Sequence, residues 1–140
     1  MAIDADLRYW PLVYARFDGK QTVEEVDDYF RRMGEVHARK KPWVSVVFMN
    51  DYARDPRVLR RVAQGMKDTE EAVRQYCLGV AMVSASSGFR FVLSSVFLIQ
   101  PMVCPYVVVG TLDEAHKYVA QKAAERGLTI PPRAAPAWPL

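Results

Sequence analysis

Residues 43–49 read Trp-Val-Ser-Val-Val-Phe-Met, and residues 78–83 read Leu-Gly-Val-Ala-Met-Val. Both runs are almost continuously apolar, which is typical of strands that are covered on both faces in a parallel sheet. Two further runs, 12–17 and 106–109, have the same strand-like composition and lie next to turn signals. These four segments predict the sheet around which the rest of the chain is arranged.

Helical patterns separate the predicted strands. Apolar residues recur at helical spacing in four stretches, which cover about 23–39, 56–77, 89–99 and 112–126. Thr22 and Thr111, each followed three residues later by Glu, have the capping-box pattern of a helix start. Gly65 lies inside the second stretch, where close packing against a neighbour is the expected reason for a glycine.

The order β-α-β-α-β-α-β-α decides the fold class. Right-handed crossovers between successive strands predict an α/β fold, a single domain with a mostly parallel four- to five-stranded sheet and four helices. The domain is expected to span residues 1–130. Residues 131–140 form a Pro-rich C-terminal tail.

Composition limits the classes of function. The chain has 140 residues, is 51% hydrophobic and 25% charged, and carries a formal charge of +3, which is too small to indicate nucleic-acid binding by itself. The N-terminal residues lack the pattern of a signal peptide, and the longest apolar run, 89–99, is too short to cross a bilayer. The expectation is a cytoplasmic protein without membrane or nucleic-acid partners.

No motif of a known enzyme class is visible. The sequence has no His-Glu-x-x-His, no Gly-x-Ser-x-Gly and no phosphate-binding Gly-Lys-Ser/Thr loop. His37 and His116 stand alone on separate predicted helices, where a surface position is expected. Cys77 and Cys104 are far apart in sequence and are expected to be two reduced core thiols, with a disulfide as the alternative. The prediction is a protein that is not an enzyme and uses no cofactor or metal.

One candidate ligand site lies at the carboxyl ends of the strands, where parallel sheets bind ligands. Amides, hydroxyls and a guanidinium there suit an anion. The competing interpretation is that Ser86 or Ser87 is only the helix N-cap and that Arg90 is paired or solvated. The residues of this candidate anion or ligand loop are Asn50, Asp51, Ser84, Ser86, Ser87 and Arg90.

A second candidate site is the outer side of the third predicted helix, which is too apolar to be covered on one side only. Helical geometry places Phe89, Val92, Leu93, Val96 and Ile99 toward the sheet. The residues that then point away include the candidate interaction face Arg90, Phe91, Ser94 and Leu98, together with Ser95. We expect this face to mediate self-association as a two-fold homodimer. The alternative is that the tail covers it through Trp138.

The order of segments resembles small bacterial STAS-like, or SpoIIAA-like, domains. The resemblance covers about residues 8–126 and rests on hydrophobic layout. Its segments are Asp18-Gly19 at the end of the first strand, the acidic start of the next helix, and the stretches 43–49, 76–83, 97–101 and 109–115.

The resemblance implies a non-enzymatic domain for regulatory protein–protein interaction. Anti-sigma-factor antagonists of the family carry a phosphorylated Ser in an Asp-Ser-Ser-Gly loop, and the matching segment here, 49–55, has no Ser or Thr. Ser86-Ser87-Gly88 looks like that motif but follows the next strand. The usual phosphoacceptor is therefore missing. Small-molecule or anion binding is the alternative function, and some relatives are proposed to bind apolar ligands.

Overall fold

The computed structural model describes residues 3–17, 21–49, 55–99 and 102–131. The four predicted strands and a fifth form one sheet, and five helices cover it. In chain order the elements are β1 (Ile3–Asp6), β2 (Leu12–Phe17), α1 (Val23–Ala38), β3 (Trp43–Met49), α2 (Pro56–Asp68), α3 (Glu70–Tyr76), β4 (Cys77–Val83), α4 (Ser87–Ile99), β5 (Tyr106–Val109) and α5 (Leu112–Ala124).

The strand order is β1-β2-β3-β4-β5, with β2 to β5 parallel and β1 antiparallel at one edge. Each crossover moves to the next strand in the same direction, so right-handed connections place α1 to α4 on one face. The last helix, α5, follows the final strand and packs on the opposite face, against β3, β4 and β5. The predicted α/β class with a mostly parallel sheet is confirmed.

The edge strand β1 was not predicted. Ile3 and Ala5 alternate with Asp4 and Asp6, which is a strand period, but aspartate is depleted in strands and the run has only four residues. Pairing with β2 compensates for this composition. Arg16 of β2 forms an ion pair with Asp4 at 2.9 Å across the strand pair.

The residues that the structure describes form five helices, where four were predicted. The stretch 56–77 is divided at Thr69, whose hydroxyl donates to the Gly65 carbonyl at 2.9 Å. The Thr69 amide also bonds the Gly65 carbonyl, at 3.1 Å, and the break lies in the backbone of Thr69 itself, whose φ of −100° and ψ of 1° are not helical. Other boundaries move by one or two residues, since β4 begins at Cys77 and α4 begins at Ser87.

Several local predictions are confirmed. The Thr22 hydroxyl accepts from the Glu25 amide at 3.2 Å, and the Glu25 side chain accepts from the Thr22 amide, which completes the capping box. A Cβ at Gly65 would lie 2.2 Å from the Phe30 ring, so close packing of α2 on α1 requires glycine there.

The core has two layers, one on each face of the sheet. On the α5 side, Ala115, Val119 and Ala123 are fully buried against apolar residues of β2, β3 and β4. On the other side, Met33 and Val36 of α1 share a cluster with residues of α4 and of the same strands. Ile130 is buried on the α5 side, whereas the tail beyond Pro131, including Trp138, lies outside the described residues.

Candidate functional site: an apolar helix face at the edge of the sheet

Helix α4 begins at a serine cap, as one interpretation of the sequence predicted. The Ser86 hydroxyl accepts from the Phe89 amide at 3.1 Å, and the Ser84 hydroxyl accepts from the Ser86 amide at 3.2 Å. Ser86 is therefore the N-cap, and the hydroxyl pair fixes the direction in which the chain leaves β4. Ser87 and Gly88 are exposed in the first turn.

The inner side of α4 is buried at two of the five predicted positions. Phe89 and Leu93 are buried in the cluster that also holds Val80 and Met82 of β4. Val92 was expected on the sheet but is exposed. The strand that α4 contacts most is the edge strand β5. The side chains of Val96 and Ile99 lie outside the described residues.

The outer side of α4 carries two large apolar side chains in solvent. Phe91 is 74% exposed and Leu98 is 83% exposed. They are seven residues apart, about two helical turns, and therefore lie on nearly the same line. Ser94 is exposed between them, and the Ser95 hydroxyl turns back to the Phe91 carbonyl at 2.9 Å. The predicted exposure of Phe91, Ser94 and Leu98 is confirmed.

Arg90 does not belong to this exposed face, and its predicted place there was wrong. Its guanidinium Nη1 donates to the Ser84 carbonyl at 2.5 Å, so the side chain reaches back to the end of β4. A Cβ at Gly110 would lie 2.9 Å from the same nitrogen, which shows how closely the guanidinium lies against the end of β5. Because the charged end is held there, the outer face of α4 contains no charge. We call Phe91, Ser94 and Leu98 the α4 outer face.

The predicted anion or ligand loop is only partly brought together. Ser84, Ser86 and Arg90 are adjacent, but the Ser86 hydroxyl serves as the cap and Arg90 bonds the Ser84 carbonyl. Ser84 itself is buried. Asn50 and Asp51 lie outside the described residues. The hydrogen bonds of this loop stabilise the start of α4, and anion binding there stays a prediction.

Sequence reasoning missed a pairing of His116. Its Nε2 lies 2.5 Å from the hydroxyl of the fully buried Tyr14, a residue 102 positions away. Burial raises the pKa of Tyr14 and lowers the pKa of His116, although Asp113 opposes the second shift. A neutral imidazole that accepts from Tyr14 carries its proton on Nδ1. This bond links α5 to β2, so the expectation of a simple surface histidine was wrong.

Open depressions border the opposite edge of the sheet. The larger has a volume of about 620 Å³ and is lined by residues 4–8 together with Arg32 and Glu35. Arg32 donates from Nη1 to the Ala5 carbonyl at 2.8 Å and so covers backbone of β1. A charged side chain over an edge strand protects it from pairing with another chain. This depression lies at the β1 edge of the sheet, whereas α4 lies at the β5 edge.

Comparison with known proteins found no match from which a function could be inferred. No protein-family model, curated protein or solved structure matches this chain. Among the described residues there is no group of three or more His, Cys, Asp or Glu side chains that could bind a metal. In the same part of the chain, no helix has both the length and the apolar content needed to cross a membrane.

Proposed function

We propose that this chain is a non-enzymatic regulatory protein–protein interaction module of STAS-like type, which acts in the cytoplasm and self-associates through the α4 outer face. The observation that carries the proposal is the exposure of Phe91 and Leu98 on one line of α4. Adjacent large apolar side chains with small polar neighbours are typical of contact surfaces.

A second copy of the chain fits this face because the face is uncharged. In a two-fold dimer the same patch packs against a copy of itself, and a patch without charge buries no ionised group there. Arg90 is the single charged residue between Ser87 and Ile99, and its guanidinium is held at Ser84. The sheet also ends at β5 beside α4, so no further strand of the described chain stands in the way.

A similar apolar pair on α2 is less suited to self-association. Leu59 and Met66 are 42% and 50% exposed and are also seven residues apart. Arg60 and Lys67 are exposed next to them. Two copies that met through α2 would remove water from these cations, which costs free energy unless each cation finds a partner. This pair therefore provides a matched control.

Other functions have less support. The Arg57 guanidinium pairs with Asp55 at 3.0 Å, and Arg61 pairs with Asp27, so these cations of α2 are compensated rather than arrayed for phosphates. Anion or small-molecule binding at the strand ends would have to displace the hydrogen bonds of Ser86 and Arg90. A phosphorylation switch of the STAS type would need a Ser or Thr in segment 49–55, and that segment contains neither. The proposal therefore includes no nucleic acid, membrane, cofactor or phosphoacceptor.

The experiment is light scattering after size-exclusion chromatography at tens of micromolar protein. The double variant Phe91→Ser, Leu98→Ser is expected to have the monomer mass, while the control Leu59→Ser, Met66→Ser keeps the dimer mass. Circular dichroism should show both variants folded, since all four side chains are exposed. Loss of the dimer in the α2 variant but not in the α4 variant would reject the proposed surface.

A further inference from the structure

The two cysteines, distant in sequence, come together in the fold. Cys77 is the first residue of β4, and Cys104 lies in the connection between α4 and β5. Both are free thiols and both are buried. Because they are far apart in the chain, proximity of the two thiols was only the alternative expectation.

The parallel pairing of β4 with β5 causes this proximity. Val80 is opposite Tyr106, and the Val80 amide donates to the Pro105 carbonyl at 2.9 Å. The residues just before these pairs therefore lie side by side at the amino ends of the strands. Cys77 and Cys104 belong to the same buried hydrophobic cluster, on the side of the sheet that α4 covers, and the Cys77 thiol donates to the Gly79 carbonyl at 3.8 Å.

The two thiols affect each other's pKa. The Cys77 side chain lowers the pKa of Cys104. The Cys104 side chain, followed by burial, raises the pKa of Cys77. Because disulfide exchange needs an accessible thiolate and both sulfurs are buried, it requires this end of the sheet to open locally.

We propose that Cys77 and Cys104 are a redox-sensitive dithiol that closes to an intramolecular disulfide when it meets a small-molecule disulfide such as oxidised glutathione. When this end of the sheet opens, the thiolate of one cysteine attacks one sulfur of glutathione disulfide, and one glutathione thiolate leaves. The thiol of the other cysteine then loses its proton and attacks the sulfur of the first, which releases the second glutathione. Two protein thiols are oxidised, and one glutathione disulfide is reduced to two glutathione molecules.

The bond would join the start of β4 to the connection that follows α4. In a reducing compartment the pair stays in the dithiol form that the structure has. Under oxidising conditions the closed form removes freedom from the unfolded chain and stabilises the native sheet. This inference is independent of the proposed function, because it concerns the amino ends of the strands and requires no partner.

The test measures the effective concentration of the two thiols in glutathione redox buffers, first for the folded protein and then in urea. Equilibrium is approached both from reduced protein and from protein oxidised in urea and refolded. After an acid quench, alkylation and intact mass spectrometry count the remaining thiols. The variants Cys77→Ser and Cys104→Ser show the signal from mixed disulfides alone.

We expect the folded protein to have an effective concentration at least about 10-fold above that in urea, because a folded neighbour is held closer than the ends of a flexible loop. The unfolding equilibrium constant of the oxidised protein should then be lower than that of the reduced protein by the same factor. A ratio below about 10-fold, or an oxidised chain that fails to refold, would overturn the proposal.

Discussion

Helices α4 and α5 each have 13 residues, yet they relate to the sheet and to solvent in different ways. Helix α5 lies over β3, β4 and β5 and buries small residues completely, while its outer side carries charged residues such as Asp113 and Lys117. Helix α4 lies at the edge strand and leaves Phe91 and Leu98 in solvent.

The difference shows that a helix can be more apolar than its place in the monomer requires. The outer side of α5 is polar and solvent-exposed. Its sheet side needs no large residues, because Ala115, Val119 and Ala123 fit closely against the strands. The outer side of α4 has the composition of a buried surface without a covering element among the described residues. This contrast is the physical basis for assigning the contact surface to α4.

A charged substitution should show the largest difference between the two helices. Val119→Asp places a carboxylate in the fully buried α5 layer, and an unpaired buried charge is expected to cost at least about 3 kcal/mol. Leu98→Asp places it in solvent on α4 and should change monomer stability by less than about 0.5 kcal/mol while lowering the molar mass to that of a monomer. Urea unfolding and light scattering measure these effects. Unfolding of the Leu98 variant would show that Leu98 is core.

Removal of the helix caps should affect the two helices equally. Ser86→Ala removes the hydroxyl that accepts from the Phe89 amide, and Thr111→Ala removes the one that accepts from the Glu114 amide. Each variant is expected to lose about 0.5–2 kcal/mol in urea unfolding. The dimer mass should persist in both, and Ser87→Ala serves as the control without a cap. A Ser86 variant of unchanged stability that dissociates would make the serine loop a binding element.

Acid should weaken the attachment of α5 slightly. The pKa of His116 is lowered in the folded protein, so the unfolded chain takes up its proton at higher pH. Stability should therefore be constant above about pH 6.5, the ordinary value, and should fall as the pH decreases through it. His37, whose pKa burial also lowers, adds an effect of the same sign. Urea unfolding of His116→Gln should show a shallower decline, and an identical pH profile would contradict the role of His116.

Local chemistry made much of the fold predictable. The helix caps and the apolar runs depend on residues a few positions apart, and the sequence alone located them within a few residues. The capping box is complete at Thr22, whereas at Thr111 only the hydroxyl bond to the Glu114 amide is present. The edge strand β1 was missed because its stability depends on pairing with β2 and on the ion pair between Asp4 and Arg16. The break at Thr69 was missed because a threonine within a helical pattern does not reveal its backbone angles.

The candidate site was predictable in its apolar part only. Helical periodicity was enough to place Phe91 and Leu98 on one exposed line. The orientation of Arg90 depends on the Ser84 carbonyl and on Gly110 of another segment, which no local pattern reports. The pairing of Tyr14 with His116 and the meeting of the two thiols likewise arise from contacts between elements that are distant in the chain.

Sedimentation equilibrium of the unmodified chain, over a concentration series up to tens of micromolar, tests the proposed self-association most directly. The mass is expected to rise toward twice the 15.9 kDa of one chain as the concentration increases. The Phe91→Ser, Leu98→Ser variant is expected to keep the mass of one chain throughout the series. An unmodified chain that stays at 15.9 kDa over the whole range would contradict the assignment of the α4 outer face as a dimer contact.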